Sequence, residues 1–264
     1  MKLTFLGTGT STGVPTVTCR CRICTSTDPH DQRTRPSLLL EYAGRVVAID
    51  TTPDFRQQAL RERLERLDAV VFTHAHADHV LGLDDTRVFY FRQQVPLPIY
   101  ADARCMETLR QIFAYIFDGT YKYGGVGKLD PRLIDGPFDL WGMSFVPIPV
   151  LHGDLPVLGF RFGSAAYVTD FSTIPESSVP LLEGLDLLIL DALRHKPHPT
   201  HSNVEQSLAL VERLKPRRAL FTHIAHELGH EETNALLPPH VRLAYDGLSV
   251  ELPESRKATV EGRK

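Results

Sequence analysis

The chain has 264 residues, 42% of them hydrophobic and 23% charged, with a formal net charge of −3. That length can bury one sizeable core or two fused halves, and a pI near 6.5 gives no general support to a nucleic-acid-binding surface. No run approaches the roughly 20 apolar residues of a spanning helix. The start, MKLTFLGTGTSTG, reads as a strand and a turn rather than a leader, so a cytoplasmic protein without a membrane partner is expected.

In chain order, residues 2–6 form a short strand ending in the glycine turn GTGTSTG, and the cysteine segment CRCRIC follows in a loop. SLLLEY and RVVAID form a hairpin turned at Ala43 and Gly44. TPDFRQQALRERLERL is a helix over residues 53–67, with Thr52 as its cap and Pro53 in its first turn. LDAVVFT is a buried strand delivering the chain to His74, and LPIYA is another strand. DARCMETLRQIFAYIF has helical periodicity, with Cys105, Met106, Leu109, Ile112, Phe113 and Ile116 on one broad face, which makes Cys105 a packed core thiol. DGTYKYGGVGKLDP is a glycine-rich loop. MSFVPIPVLH is a strand ending at His152, VLGFRFGSAAYVTD a hairpin ending at Asp170, and LDLLILDA a buried strand. HSNVEQSLALVERLK is a helix opened by a capping box of Ser202 and Glu205, and RALFTH is a strand ending at His223. VRLAYDGLSVEL closes the core as a last hairpin. One domain over residues 1–252 and a polar tail over 253–264 are expected.

The segment THAHADH concentrates His74, His76, Asp78 and His79. Residues two apart do not share a helix face, so the cluster belongs in a loop that can wrap around ions. His and carboxylate together suit Zn, Mn or Fe. His74, His152, Asp170 and His223 each follow an apolar strand run, and strand ends at one edge of a core are where ligands converge in layered α/β proteins. Lone histidines such as His30 and His240 read as ordinary surface or core residues. CRCRIC gives the spacing C-x-C-x-x-C at Cys19, Cys21 and Cys24. Three thiolates this close can take three corners of a zinc tetrahedron, and a closed structural site needs a fourth ligand. His226, in THIAH, is the candidate.

THAHADH resembles the signature of the metallo-β-lactamase fold of dinuclear hydrolases, and the likeness extends to GTGTSTG, AIDTTPDFRQQAL, LHGD, VTDFS and LFTHIAH. The resemblance implies an α/β fold, the four-layer αββα metallo-β-lactamase sandwich. It also implies two Zn or Mn ions, one on His74, His76 and His152, the other on Asp78, His79 and His223, with Asp170 bridging. The cysteine cluster with THIAH resembles the PhnP-type branch, which implies one structural Zn on Cys19, Cys21, Cys24 and His226. That metal would staple the N-terminal loop to the segment bearing His223.

The implied reaction is phosphodiester hydrolysis by a metal-bridging hydroxide, with Asp78 in the catalytic set. The implied substrate is a small phosphorylated sugar, 5-phosphoribosyl 1,2-cyclic phosphate. In PHPTHSNVEQ, His201 matches the branch's position for a general acid, while His195 and His198 read as surface residues beside the pocket. A second substrate phosphate would need a cation. Arg33, Arg35, Lys122, Lys128 and Arg194 are candidates by loop position, each otherwise a solvated surface charge. The competing readings are a tRNA 3′-processing zinc endonuclease, against which the charge and the lack of a long arm after His152 argue, and an accessory protein of cofactor biosynthesis keeping only the structural zinc. A thioesterase or glyoxalase-II-like activity lacks the cysteine staple. Family likeness also implies a homodimer.

Overall fold

The computed structural model describes residues 1–119 and 124–253. Two runs of strands build two seven-stranded sheets on the same plan, antiparallel at the start of each run and parallel at its end. The first run contains β1 (Lys2–Gly7), β2 (Ser37–Tyr42), β3 (Arg45–Ile49), β4 (Ala69–Val71), β5 (Leu97–Ala101) and β6 (Leu129–Leu133). Strands β1 to β3 pair antiparallel, whereas β3 to β6 pair parallel. The second contains β7 (Phe138–Leu140), β8 (Met143–His152), β9 (Leu155–Phe162), β10 (Ala165–Val168), β11 (Leu187–Asp191), β12 (Arg218–Thr222) and β13 (Val241–Leu243). Here β7 to β10 are antiparallel and β10 to β13 parallel. The final strand, β14 (Ser249–Glu251), returns to pair with β1.

Parallel pairing needs crossovers, and these carry the helices. The first sheet is covered by α1 (Phe55–Arg61), α2 (Ala77–Val80), α3 (Arg87–Gln93), α4 (Ala103–Ile112) and α5 (Ala114–Phe117), the second by α6 (Val204–Leu214) and α7 (His230–Leu236). Three apolar layers follow. Leu3, Phe5, Leu40 and Val47 of the first sheet meet Phe145, Phe160, Phe162 and Ile189 of the second. Leu39, Ala48 and Val70 meet Phe55, Phe89 and Leu109. Val150, Leu188 and Phe221 meet Val204 and Val211. This is the αββα sandwich, and each fully buried Leu or Phe in it contributes about 1.5–3 kcal/mol.

The structure departs from the sequence reading in several places. The helix expected over 53–67 is only α1, because Arg63 adopts a positive φ of 53° and turns the chain to bury Leu67. Thr52 caps the turn that opens α1: its hydroxyl accepts from the Asp54 amide and its carbonyl from the Phe55 amide, while the Asp54 carboxylate is held by Arg35. The single helix expected to reach Ile116 breaks at Phe113, leaving Ile112 42% exposed. The capping box sits one residue later, as Asn203 with Gln206, while the Ser202 hydroxyl meets that of Ser207. The closing hairpin does not exist: β13 and β14 belong to different sheets. The hairpin turn at Ala43 and Gly44 is as expected, both with positive φ. Residues 120–123 of the glycine-rich loop, with Lys122, and residues 254–264 of the tail lie outside the described residues.

Candidate active site

One edge of the sandwich collects the strand ends. β3 delivers Asp50, β4 leads to Thr73 and His74, β8 ends at His152, β10 leads to Asp170, β11 ends at Asp191, and β12 leads to His223. Asp50, Asp170 and His223 leave their strands with φ of 64°, 55° and 57°. That left-handed conformation is uncommon outside glycine, Asp and His being among the residues that tolerate it best.

The segment expected as a loop is a loop only to His76; Asp78 and His79 stand on the single turn of α2. Its position is fixed by backbone bonds, Thr51 N to His79 O at 2.8 Å and Gly82 N to Thr51 O at 3.0 Å. A Cβ at Gly82 would stand 2.0 Å from the Thr52 carbonyl oxygen, so only glycine lets the two segments approach this closely.

Two groups of ligand atoms result, each within 4.8 Å of one another: His74, His76 and His152, and then Asp78, His79, Asp170 and His223. Asp170 also groups with His152 and His201. Its two oxygens face different rings, Oδ2 at 3.2 Å from His79 Nε2 and Oδ1 at 3.2 Å from His223 Nε2. Asp78 Oδ2 lies 3.5 Å from His79 Nε2 and 3.7 Å from His223 Nε2. The far nitrogens are held from behind. His79 Nδ1 meets Asp50 at 2.7 Å, and Asp50 also accepts from the Thr73 amide and hydroxyl. His152 Nδ1 donates to the Thr200 carbonyl at 2.7 Å, and His74 Nδ1 faces the Thr73 hydroxyl at 3.0 Å. Such partners select the tautomer that leaves Nε2 free.

Burial alone would push the imidazole pKa values down. For His223 the carboxylates of Asp170, Asp78 and Asp191 override it and raise the value to about 9. His79 is likewise held well above the usual range, against burial, by Asp170, Asp78 and Asp50. His74 is held well below it by burial and by His79. Burial opposes ionisation of Asp78, yet His79 and His223 keep its pKa well below the carboxylate range.

Do these residues suit cations? The Nε2 atoms of His74, His79 and His223 are buried and make no hydrogen bond. A buried polar atom left without a partner costs roughly 1–3 kcal/mol. Imidazole nitrogens gathered with ionised carboxylates fit divalent ions such as Zn or Mn, which would displace the ring protons. The cysteine cluster passes its own test. Cys19, Cys21 and Cys24 place their Sγ atoms 3.2, 3.4 and 3.5 Å from His226 Nδ1. A zinc tetrahedron with ligand bonds of about 2.0 and 2.3 Å has edges of about the same length. The Cys24 amide, helped by His226 and Cys19 against burial, lowers the Cys21 pKa to about 6.

His201 stands beside the second group, its Nδ1 2.8 Å from Asp191 Oδ2 and 3.8 Å from Asp170 Oδ1. His198 is half-buried next to it, with ring centroids 5.1 Å apart, and His195 is exposed and paired with Glu205. Cys105 is buried in the helix-facing core. His30 packs on Tyr245, and His240 is exposed. Arg33 is not a solvated charge. It is 3% exposed and donates to Thr8 Oγ1 and the Ala244 carbonyl, and burial draws its pKa down to about 10. Arg35 pairs with Asp54, Arg194 with Glu227, and Lys128 is exposed.

Asp50 and Asp191 escaped the sequence reading as site residues. The signal was available: both follow apolar strand runs, AID and LILD, as His74 and Asp170 do.

Comparison with known proteins gives the family and the fold. Residues 45–224 match the Beta-lactamase superfamily domain. A crystal structure described as a new diphosphatase from the PhnP family superposes with a TM-score of 0.90 at 49% identity, covering 96% of this chain and 98% of that one. An octanoyltransferase of Porphyromonas gingivalis is 39% identical over 96% of this chain, but the chain spans only 52% of that relative's length. Zn(2+)-bound PqqB from Methylobacterium extorquens shares the fold, with a TM-score of 0.75 at 21% identity, over 96% of this chain and 100% of its own.

Proposed function

Because the chain belongs to the beta-lactamase superfamily and, within it, to the PhnP family, we propose that it is a metal-dependent phosphoric diester hydrolase acting on a cyclic phosphodiester such as 5-phosphoribosyl 1,2-cyclic phosphate. The observation that carries this reading is a histidine–carboxylate pair, His201 on Asp191 at 2.8 Å, set against two groups of metal-ligand atoms. In this reading His74, His76 and His152 would hold one ion, Asp78, His79 and His223 the other, and Asp170 would serve both. Cys19, Cys21, Cys24 and His226 hold a structural zinc. Bound there, such ions would supply Lewis acidity toward phosphoryl oxygens and a water activated near neutral pH.

The remaining work falls to side chains. Asp191 accepts from His201 Nδ1 and supports the charged ring. That ring gives its Nε2 proton to the departing alkoxide and keeps Nδ1–H on Asp191. Asp50 and the Thr200 carbonyl hold the rings of His79 and His152, so the centre need not reorganise during the reaction. Asp78, kept ionised between His79 and His223, balances the cationic charge gathered there.

A diphosphate bond is the second reading, since the 49% identical relative is described as a diphosphatase. A phosphate departs more easily without a proton than an alkoxide does, so the His201–Asp191 pair favours the ester. The deciding experiment measures metal content with turnover of the cyclic diester, bis(p-nitrophenyl) phosphate and a diphosphate. Occupancy of both centres with the cyclic diester preferred is expected. Preference for the diphosphate would hand the site to the second reading. Metal in the cysteine cluster alone, with no turnover, would overturn both and favour an accessory role.

A further inference from the structure

The substrate in that reading carries a second anionic group, and most cations considered for it are already engaged. Arg33 is buried on Thr8 and Ala244, Arg35 is held by Asp54 at 3.0 Å, and Arg194 by Glu227 at 3.1 Å. Arg104 differs. It is exposed in the first turn of α4, and its guanidinium has no hydrogen bond or ion pair among the described residues.

Arg104 lines a cavity of about 200 Å³ together with His74 and His76, and with Leu155 and Pro156 at the start of β9. This is below the ~300 Å³ at which cavities hold a whole small ligand, so it suits one end of a substrate. Two of its walls are rings assigned to the first ion, so a diester held at the centre has this cavity beside it. The other charged lining residue, Asp102, is occupied as the cap of α4, accepting from the Cys105 amide at 2.7 Å. A planar guanidinium matches phosphate oxygens with two parallel N–H donors.

Resting on the reading above, we propose that this cavity seats the distal phosphomonoester of the substrate and that Arg104 is the side chain that selects for it. The consequence is a preference among diesters: those with a phosphate beyond the sugar ring are taken over those with a hydroxyl there.

The test compares 5-phosphoribosyl 1,2-cyclic phosphate with the analogue bearing a free 5-hydroxyl, using the metal-loaded enzyme and its Arg104→Ala and Arg104→Lys variants. The ratio of the two kcat/KM values should fall roughly ten- to hundredfold in Arg104→Ala, mostly through KM, with partial recovery in Arg104→Lys. An unchanged ratio overturns the proposal. Calorimetric binding of ribose 5-phosphate separates this from the activity itself. If the protein hydrolyses neither diester yet binds ribose 5-phosphate, and Arg104→Ala weakens that binding tenfold or more, the subsite stands and the diesterase reading falls. Binding that is absent, or equal in both proteins, overturns the subsite.

Discussion

The two ligand clusters of this chain draw their rigidity from different sources. The His/Asp cluster stands on the ends of strands, and His79, His152 and His201 are each held by a second partner, Asp50, Thr200 or Asp191. The cysteine cluster stands on a loop without strands. Its partners are chiefly its own members, with the small apolar group of Val14, Ile23 and Cys24 beneath it. The first centre is therefore assembled by the fold, whereas the second helps to assemble it. Chemistry can be lost from the one without loss of structure, and structure is lost first from the other.

The largest effect that could break this comparison comes from Asp78→Ala. Phosphodiesterase activity should disappear while the circular dichroism spectrum and Tm stay near those of the unaltered protein. Retained activity would sink the dinuclear mechanism, and collapse of the fold would show that the centre is not preformed. His201→Ala cuts finer. It should cost roughly 10²–10⁴-fold on an alkoxide leaving group and far less on nitrophenolate, which leaves without a proton. Equal losses on both would remove His201 from the acid role.

Cys24→Ser addresses the second cluster. Loss of its metal should lower Tm by about 5 °C or more, with activity falling as a consequence, and an unchanged Tm would show that the loop stands alone. An effect visible only in acid lies next to that cluster, at His230. Burial, then the Arg33 guanidinium and His30, lower its pKa from 6.5 to about 4. As pH falls, the unfolded chain takes up this proton first, so stability present above pH 6.5 is lost on the way to pH 4. His230→Gln cannot take up the proton, and its Tm should fall less than that of the unaltered protein across the same window. Parallel curves would remove His230 from the acid response.

The sequence reading reached the residues that the structure gathers at the sheet edge because they announce themselves locally. His74, His76 and His79 crowd one segment, and His152, Asp170 and His223 each end an apolar run whose strand identity is plain. What it missed depends on which strands become neighbours. The link from Asp50 to His79 spans 29 residues and exists only because β3 pairs with β4. Arg33 looks like a surface charge until Thr8 and Ala244, far apart in sequence, close over it. The last two strands read as a hairpin because hydrophobic alternation does not say to which sheet a strand belongs.

The positive φ angles of Asp170 and His223 set the centre against the stability of the chain that holds it. Glycine would adopt those angles at lower cost, but removing either residue would leave its buried partner, 3.2 Å away, without its opposite charge. A library of this chain selected for heat resistance alone should therefore keep or lose Asp170 and His223 together, never one without the other.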